Sequence, residues 1–150
     1  MLRQAFSLVK DALAKIPALV LYDPYLETIV SANASSYGRG AVLLQKQANG
    51  ERWPVAYVSR SMTPTESRYA QIEKKALALT WACGRYSDYL IGLQFKIETD
   101  HKPLVPLFGA KLFDELPIWV QRFRMRMMQF NFSISCILGK NLTIVESTML

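Results

Sequence analysis

Of the 12 acidic residues in this 150-residue chain, two stand where chemistry could use them. Glu73 lies early in a stretch whose apolar residues Ile72, Ala76, Leu79 and Cys83 recur at helical spacing, so its carboxylate borders a buried face. Burying a carboxylate is costly unless it is paired, hydrogen-bonded or on a metal, although a polar residue at the rim of a core fits the same pattern. Asp100 ends an alternating strand, and the carboxyl ends of strands in α/β sheets are habitual ligand sites. It equally suits the N-cap of a short helix opening at Pro103. Eight of the others have plainer readings. Glu66 completes a capping box, Glu98 alternates to the outer face of its strand, and Asp23, Glu27, Glu51, Asp88, Asp114 and Glu115 fall at loops or element ends. Cys83 and Cys136 are flanked by apolar residues and read as small buried hydrophobes, and no Cys or His cluster has zinc-ligand spacing.

The elements that must position these residues follow from periodicity and punctuation. Residues 1–15 read as a helix on Phe6, Val9 and Leu13, stopped by Pro17. Residues 28–34, 41–47 and 53–59 read as three strands joined by a turn at 35–40, whose glycines Gly38 and Gly40 can supply positive φ, and by an Asn49-Gly50 hairpin. Thr63-Pro64-Thr65-Glu66 combines an N-cap, a Pro at the first helical position and a Glu three residues after the cap. It predicts one long helix ending near Gly84 or a turn later. A strand at 94–99, a short helix at 103–108, a loop at 109–116, a helix at 117–129, a strand at 131–138 and a short tail complete the chain. Strand–helix–strand crossovers give parallel pairing, so the expectation is an α/β domain with a mixed sheet covered by helices.

Composition narrows the function classes. Hydrophobic residues make up 51% and charged residues 20%, which suits one domain with a real core and excludes a disordered tail. No apolar run approaches the roughly 20 residues of a membrane span, so no membrane partner is expected. Met1-Leu2-Arg3-Gln4 lacks the pattern of a secretory signal, so the expected compartment is intracellular, cytoplasm or nucleus. On that reading the Asn-x-Ser/Thr sequons at Asn33, Asn131 and Asn141 are accidental rather than marks of a glycoprotein. A net charge of +6 favours a polyanionic partner without identifying one.

Four ordered segments carry a resemblance: 31–43 (SANASSYGRGAVL), 54–61 (PVAYVSRS), 69–77 (YAQIEKKAL) and 98–104 (ETDHKPL). Together they closely resemble the ribonuclease H domain of gypsy-type LTR retrotransposon polyproteins, which follows the reverse transcriptase. The resemblance covers nearly the whole chain. It implies a ribonuclease H fold, a five-stranded mixed sheet flanked by helices, over residues 26–150, with residues 1–25 a segment connecting from the polymerase. It also implies hydrolysis of the RNA strand of an RNA–DNA hybrid by two Mg²⁺ ions (Mn²⁺ as a substitute) held by four carboxylates, with a polymerase domain as partner in cis or in trans. No paired-aspartate polymerase motif occurs here.

Carried onto this sequence, the four metal positions fall on Asn33, Glu73, Asp100 and Glu146. Two depart from the family. Asn33 stands where the family has Asp, and Glu146 replaces Asp in a tail that ends Glu146-Ser147-Thr148-Met149-Leu150. Leu138 also stands where the family usually has Pro. An amide offers one neutral oxygen where a carboxylate offers two charged ones, so metal binding and cleavage are expected to be weakened while the fold survives. Ser35, Ser36, Arg39, Arg60 and Lys102 lie beside motif residues and are the expected nucleic-acid contacts, whereas Arg122, Arg124 and Arg126 share a helix. Because of Asn33, a non-catalytic module of the same fold, kept for nucleic-acid binding or as a connection domain, is the second reading.

Overall fold

β-branched and apolar residues alternating with small or polar ones build a sheet through the middle of this computed structural model, which describes residues 21–109, 113–138 and 143–148. Strands β1 (Thr28–Ala34), β2 (Gly38–Lys46) and β3 (Arg52–Ser61) form the antiparallel meander expected from the two turns. β4 (Gln94–Thr99) then pairs parallel with β1, and β5 (Asn131–Leu138) parallel with β4. The anticipated five-stranded mixed sheet is therefore present in the order β3-β2-β1-β4-β5. A sixth strand, β6 (Thr143–Thr148), adds antiparallel to β5 where the sequence reading saw only a short tail. The expected connecting segment and first helix fall largely on residues 1–20, outside the described residues. The chain just before β1 is tied to the domain, since the Tyr22 hydroxyl donates to the Tyr89 carbonyl at 2.9 Å and the Gln45 side chain brackets Asp23.

The helix after Thr63 is not continuous. The capping box forms as spelled, with Thr63 Oγ1 accepting from the Glu66 amide at 3.1 Å and Glu66 Oε1 accepting from the Thr63 amide at 2.9 Å. Yet α1 (Pro64–Ser67) lasts one turn, and α2 (Gln71–Arg85) restarts after Ala70, which is extended at ψ 155°. Two anchors account for the break. Glu66 also accepts from Arg39 of β2 at 3.0 Å, which fixes α1, while Ala76, Leu79, Ala82 and Cys83 fix α2 on the sheet. α3 (Ser87–Leu90), α4 (Leu104–Phe108), a 3₁₀ turn (Phe113–Glu115) and α5 (Ile118–Met127) follow.

The core lies between the sheet and α2, α4 and α5, with Val30, Leu43, Phe95, Ile97, Phe132 and Ile134 facing Leu79, Leu90, Leu104, Phe108 and Met127. The Tyr86 hydroxyl, buried at the end of α2, donates to the carbonyls of Ala41 and Ala56 and so ties the helix to β2 and β3. Two local expectations change. Gly38 and Gly40 lie in β2 rather than in a positive-φ turn, and the turn is made by 35–37, where Ser35 Oγ accepts from the amides of Tyr37 and Gly38. Gly38 is needed instead for close approach, because a Cβ there would sit 3.1 Å from the Arg60 carbonyl oxygen. Glu98 does point away from the main core, but it is only 4% exposed and is paired with Arg52 Nη1 of β3 at 2.5 Å, so it is no solvated carboxylate. Cys83 and Cys136 are buried and free, as their apolar neighbours suggested.

Candidate metal and nucleic-acid site

The carboxyl ends of the parallel strands β1 and β4 define the site. Ser31 pairs with Glu98, so the same register carried two residues further sets Asn33 level with Asp100 on the neighbouring strand. The start of α2 is tethered to these ends. Lys74 Nζ donates to Ser36 Oγ at 3.0 Å, and Lys75 Nζ contacts Asp100 Oδ1 at 2.6 Å. Glu73 is half-buried in the first turn of α2, between Ile72, which packs on the core, and these two lysines. Asp100 is therefore not the cap of α4, whose N-cap is Pro103 and lacks a side-chain bond. Glu146 lies elsewhere along the sheet. Its backbone pairs with Ser135, in the row that runs Ser31, Glu98, Ser135, Glu146, and β6 is two strands from β4, about 10 Å across at the usual strand spacing.

Asn33 is only 7% exposed. Its Oδ1 accepts from the Ala34 amide at 2.9 Å, which leaves Nδ2 as the free end of the side chain, buried and without a hydrogen-bond partner. Turning the amide over would set Nδ2 against the Ala34 N–H, donor against donor, so the bond fixes the orientation. What position 33 offers is thus an N–H donor, which repels a cation. Lys75 adds a second obstacle. The residue is 8% exposed, and its ammonium already occupies the Asp100 carboxylate. Within this cluster two carboxylates, Glu73 and Asp100, are offset by two ammonium groups, Lys74 and Lys75. Two divalent ions need a surplus of anionic oxygen, and these residues do not fit a pair of them. Among the described residues no group of three or more His, Cys, Asp or Glu side chains is placed to hold a metal.

The expected nucleic-acid contacts divide. Arg60 and Lys102 are exposed, and so is Ser36 despite its bond from Lys74. Ser35 spends its hydroxyl on the turn it closes. Arg39 is 3% exposed, paired with Glu66 and 5.1 Å from the Trp81 ring centroid, because β2 continues through it instead of turning. His101 takes a structural place, its amide donating to Thr99 Oγ1 at 3.1 Å. Burial lowers its pKa, helped by Lys75 and opposed by Asp100. The sequence reading missed Lys74 and Lys75. A signal for Lys75 was present, since it stands three residues after Ile72 and four before Leu79, on the stripe that periodicity marks as buried.

Comparison with known proteins agrees with this architecture. The family described as "RNase H-like domain found in reverse transcriptase" matches residues 2–97. The retrovirus-related Pol polyprotein from transposon 297 of Drosophila melanogaster is 34% identical over 144 residues, covering 91% of this chain but 13% of that polyprotein. This chain is thus similar to about an eighth of its relative's length. Among solved structures, the foamy viral protease-reverse transcriptase in complex with RNA/DNA hybrid superposes with a TM-score of 0.60 at 20% identity, covering 83% of this chain and 17% of that one. RNase H1 from Halobacterium salinarum NRC-1 gives 0.53 at 17% identity, covering 77% and 88%. These two establish the fold alone.

Proposed function

Because this chain belongs to the RNase H-like domains of retroelement reverse transcriptases, we propose that it is a nucleic-acid-binding domain of such a polyprotein whose hybrid-cleaving site is disarmed. RNase H domains in general act as hydrolases on RNA–DNA hybrids and use divalent metal ions. In this copy the four metal positions of the family fall on Asn33, which is uncharged, on Glu73 and Asp100, and on Glu146, which stands on β6, two strands from β4. The partners are an RNA–DNA hybrid and a polymerase domain in cis. The foamy viral neighbour, a reverse transcriptase in complex with hybrid, supports that pairing by analogy. Retention of the fold with a neutralised site favours a binding or connecting role over turnover.

One observation carries the reading: the orphaned Asn33 Nδ2 lies level with an Asp100 already paired to Lys75. The residues do not fit the ions that hydrolysis would use, so no catalytic step is assigned to them. The test is cleavage of a labelled RNA strand in a hybrid, with Mg²⁺ and with Mn²⁺, for the unmodified chain and for Asn33→Asp combined with Lys75→Met. The unmodified chain should give background cleavage and the double variant a metal-dependent gain. Turnover by the unmodified chain equal to that of the double variant would overturn the proposal. So would background cleavage by both variants despite unchanged hybrid binding.

A further inference from the structure

A cleft of about 500 Å³ opens further along α2 from the Glu73 turn, toward the helix C-terminus, between α2, α5 and the β2–β3 pair. Four arginines line it, Arg39, Arg60, Arg85 and Arg126, against one carboxylate, Glu66. Arg39 is paired with that carboxylate, so three cationic charges are left over, and Arg60 and Arg85 have no ion pair among the described residues. Arg126 lies over the Phe123 ring at 5.8 Å, its charge still available. The helix dipole accounts for Arg85 in the last turn of α2, but not for the convergence of cations from β2, β3 and α5 on one cleft. A second observation points to a ligand. The Arg39 side chain is 4% exposed, yet its Nε has no hydrogen-bond partner, a buried cationic donor left over in the wall of the cleft.

We infer that this cleft binds the phosphodiester backbone of a nucleic acid. A neighbouring cleft of about 400 Å³, lined by Ser35, Gly38, Arg39 and Arg60 among others, shares two of those arginines and reaches the turn next to Asn33. The two form one basic track from the end of β1 to the end of α2, which suits an extended polyanion better than a single small anion. Guanidinium groups bind phosphate oxygens in pairs, and Gly84, with nothing within 4 Å of where a Cβ would sit, leaves the cleft open. The choice of nucleic acid as the occupant rests on the function proposed above, while the basic track does not.

The experiment measures binding of a labelled RNA–DNA hybrid by fluorescence anisotropy across a salt series, in EDTA so that metals and cleavage play no part. Each lost phosphate contact should flatten the slope of log K against log salt by about 0.9. Arg85→Gln with Arg126→Gln should therefore flatten it by about 1.8. Arg122→Gln, an exposed charge on α5 outside the cleft, should leave it unchanged. A slope unmoved in the double variant, or moved as much per charge by Arg122→Gln, overturns the inference. Equal hybrid binding by all chains, together with poly-glutamate binding that the double variant loses, overturns it in favour of an acidic protein partner. The cleavage test above is independent of this one, so the loss of either reading is visible without the other.

Discussion

Replacing Asn33 by Asp tests the electrostatics of the site without touching the core. The position is 7% exposed, and its Oδ1 would keep the bond from the Ala34 amide, so the new oxygen takes the place of the orphaned Nδ2. Removing a buried unsatisfied donor returns about 1–3 kcal/mol. Against that, a buried carboxylate without a partner costs several kcal/mol, and Asp100 on the adjacent strand adds like-charge repulsion. In a chelator the charge term wins, with a net loss of about 1–3 kcal/mol, or roughly 3–10 °C in Tm for a domain of this size. A divalent cation reverses the balance, since a ligand at about 100 times its Kd adds about 2.7 kcal/mol. Thermal melts followed by circular dichroism, in EDTA and in saturating Mg²⁺, should show one Tm for the unmodified chain. The variant's Tm should be lower in EDTA and rise by roughly 5–10 °C with Mg²⁺. A Mg²⁺-dependent rise in the unmodified chain equal to the variant's would refute the reasoning, as would its absence from the variant.

Glu66→Gln should destabilise the fold at neutral pH by about 1–2 kcal/mol, since it keeps the cap but leaves the buried Arg39 without its counter-charge, discounted for partial exposure. Burial works to raise the Glu66 carboxyl, but the Thr63 amide and Arg39 outweigh it and hold the group below its ordinary value of 4.5. Its stabilising share is therefore complete above that value and lost as pH falls through the folded-state value, so urea titrations of the two chains should converge in acid. A gap that persists there would count against the ion pair. Burial also pushes the thiols of Cys83 and Cys136 up, so a disulfide reagent should label neither in the native chain and both after unfolding. Native-state labelling of either would contradict the packing described.

The sheet was legible because its strands announce themselves twice, by alternation and by turn chemistry. Gln94–Thr99 and Asn131–Leu138 lie where the pattern puts them, and Asn49-Gly50 makes its hairpin with Gly50 at φ 87°. What local sequence does not contain is direction. The capping box at Thr63 starts a helix without saying that a salt bridge from β2 will fix its first turn at one angle and the core will draw the next at another. Gly38 is a comparable case, since its missing Cβ can mean a left-handed turn or a close neighbour, and only the Arg60 carbonyl decides. At the site, the loss of charge at position 33 is readable from one letter. The direction of its Nδ2 is not, because it depends on the Ala34 amide. The Lys75–Asp100 pair was hidden for the same reason, as its partners are 25 residues apart and meet only through the parallel pairing of β1 with β4 and the docking of α2.

That ion pair determines how much a single substitution at position 33 can restore. Its two members are unequal: the Lys75 side chain is 10% exposed, whereas that of Asp100 is 42% exposed. Asp100 can be solvated alone, but Lys75 cannot, so the lysine depends on the aspartate more than the reverse. A divalent ion drawing Asp100 away would strand a buried ammonium, a loss of about 1–3 kcal/mol once the exposure of Asp100 is discounted. Even about 1.4 kcal/mol weakens a metal at Asp100 roughly tenfold while the ammonium stays in place. Asn33 and Lys75 are thus separate obstacles acting on one cluster of charges. Lys75→Met alone leaves an N–H facing the ion, and Asn33→Asp alone leaves the ammonium in place. The gain in Mg²⁺ affinity from both together, measured by calorimetry, should exceed the sum of the two single gains in free energy. Strict additivity would mean that the two residues do not share a site.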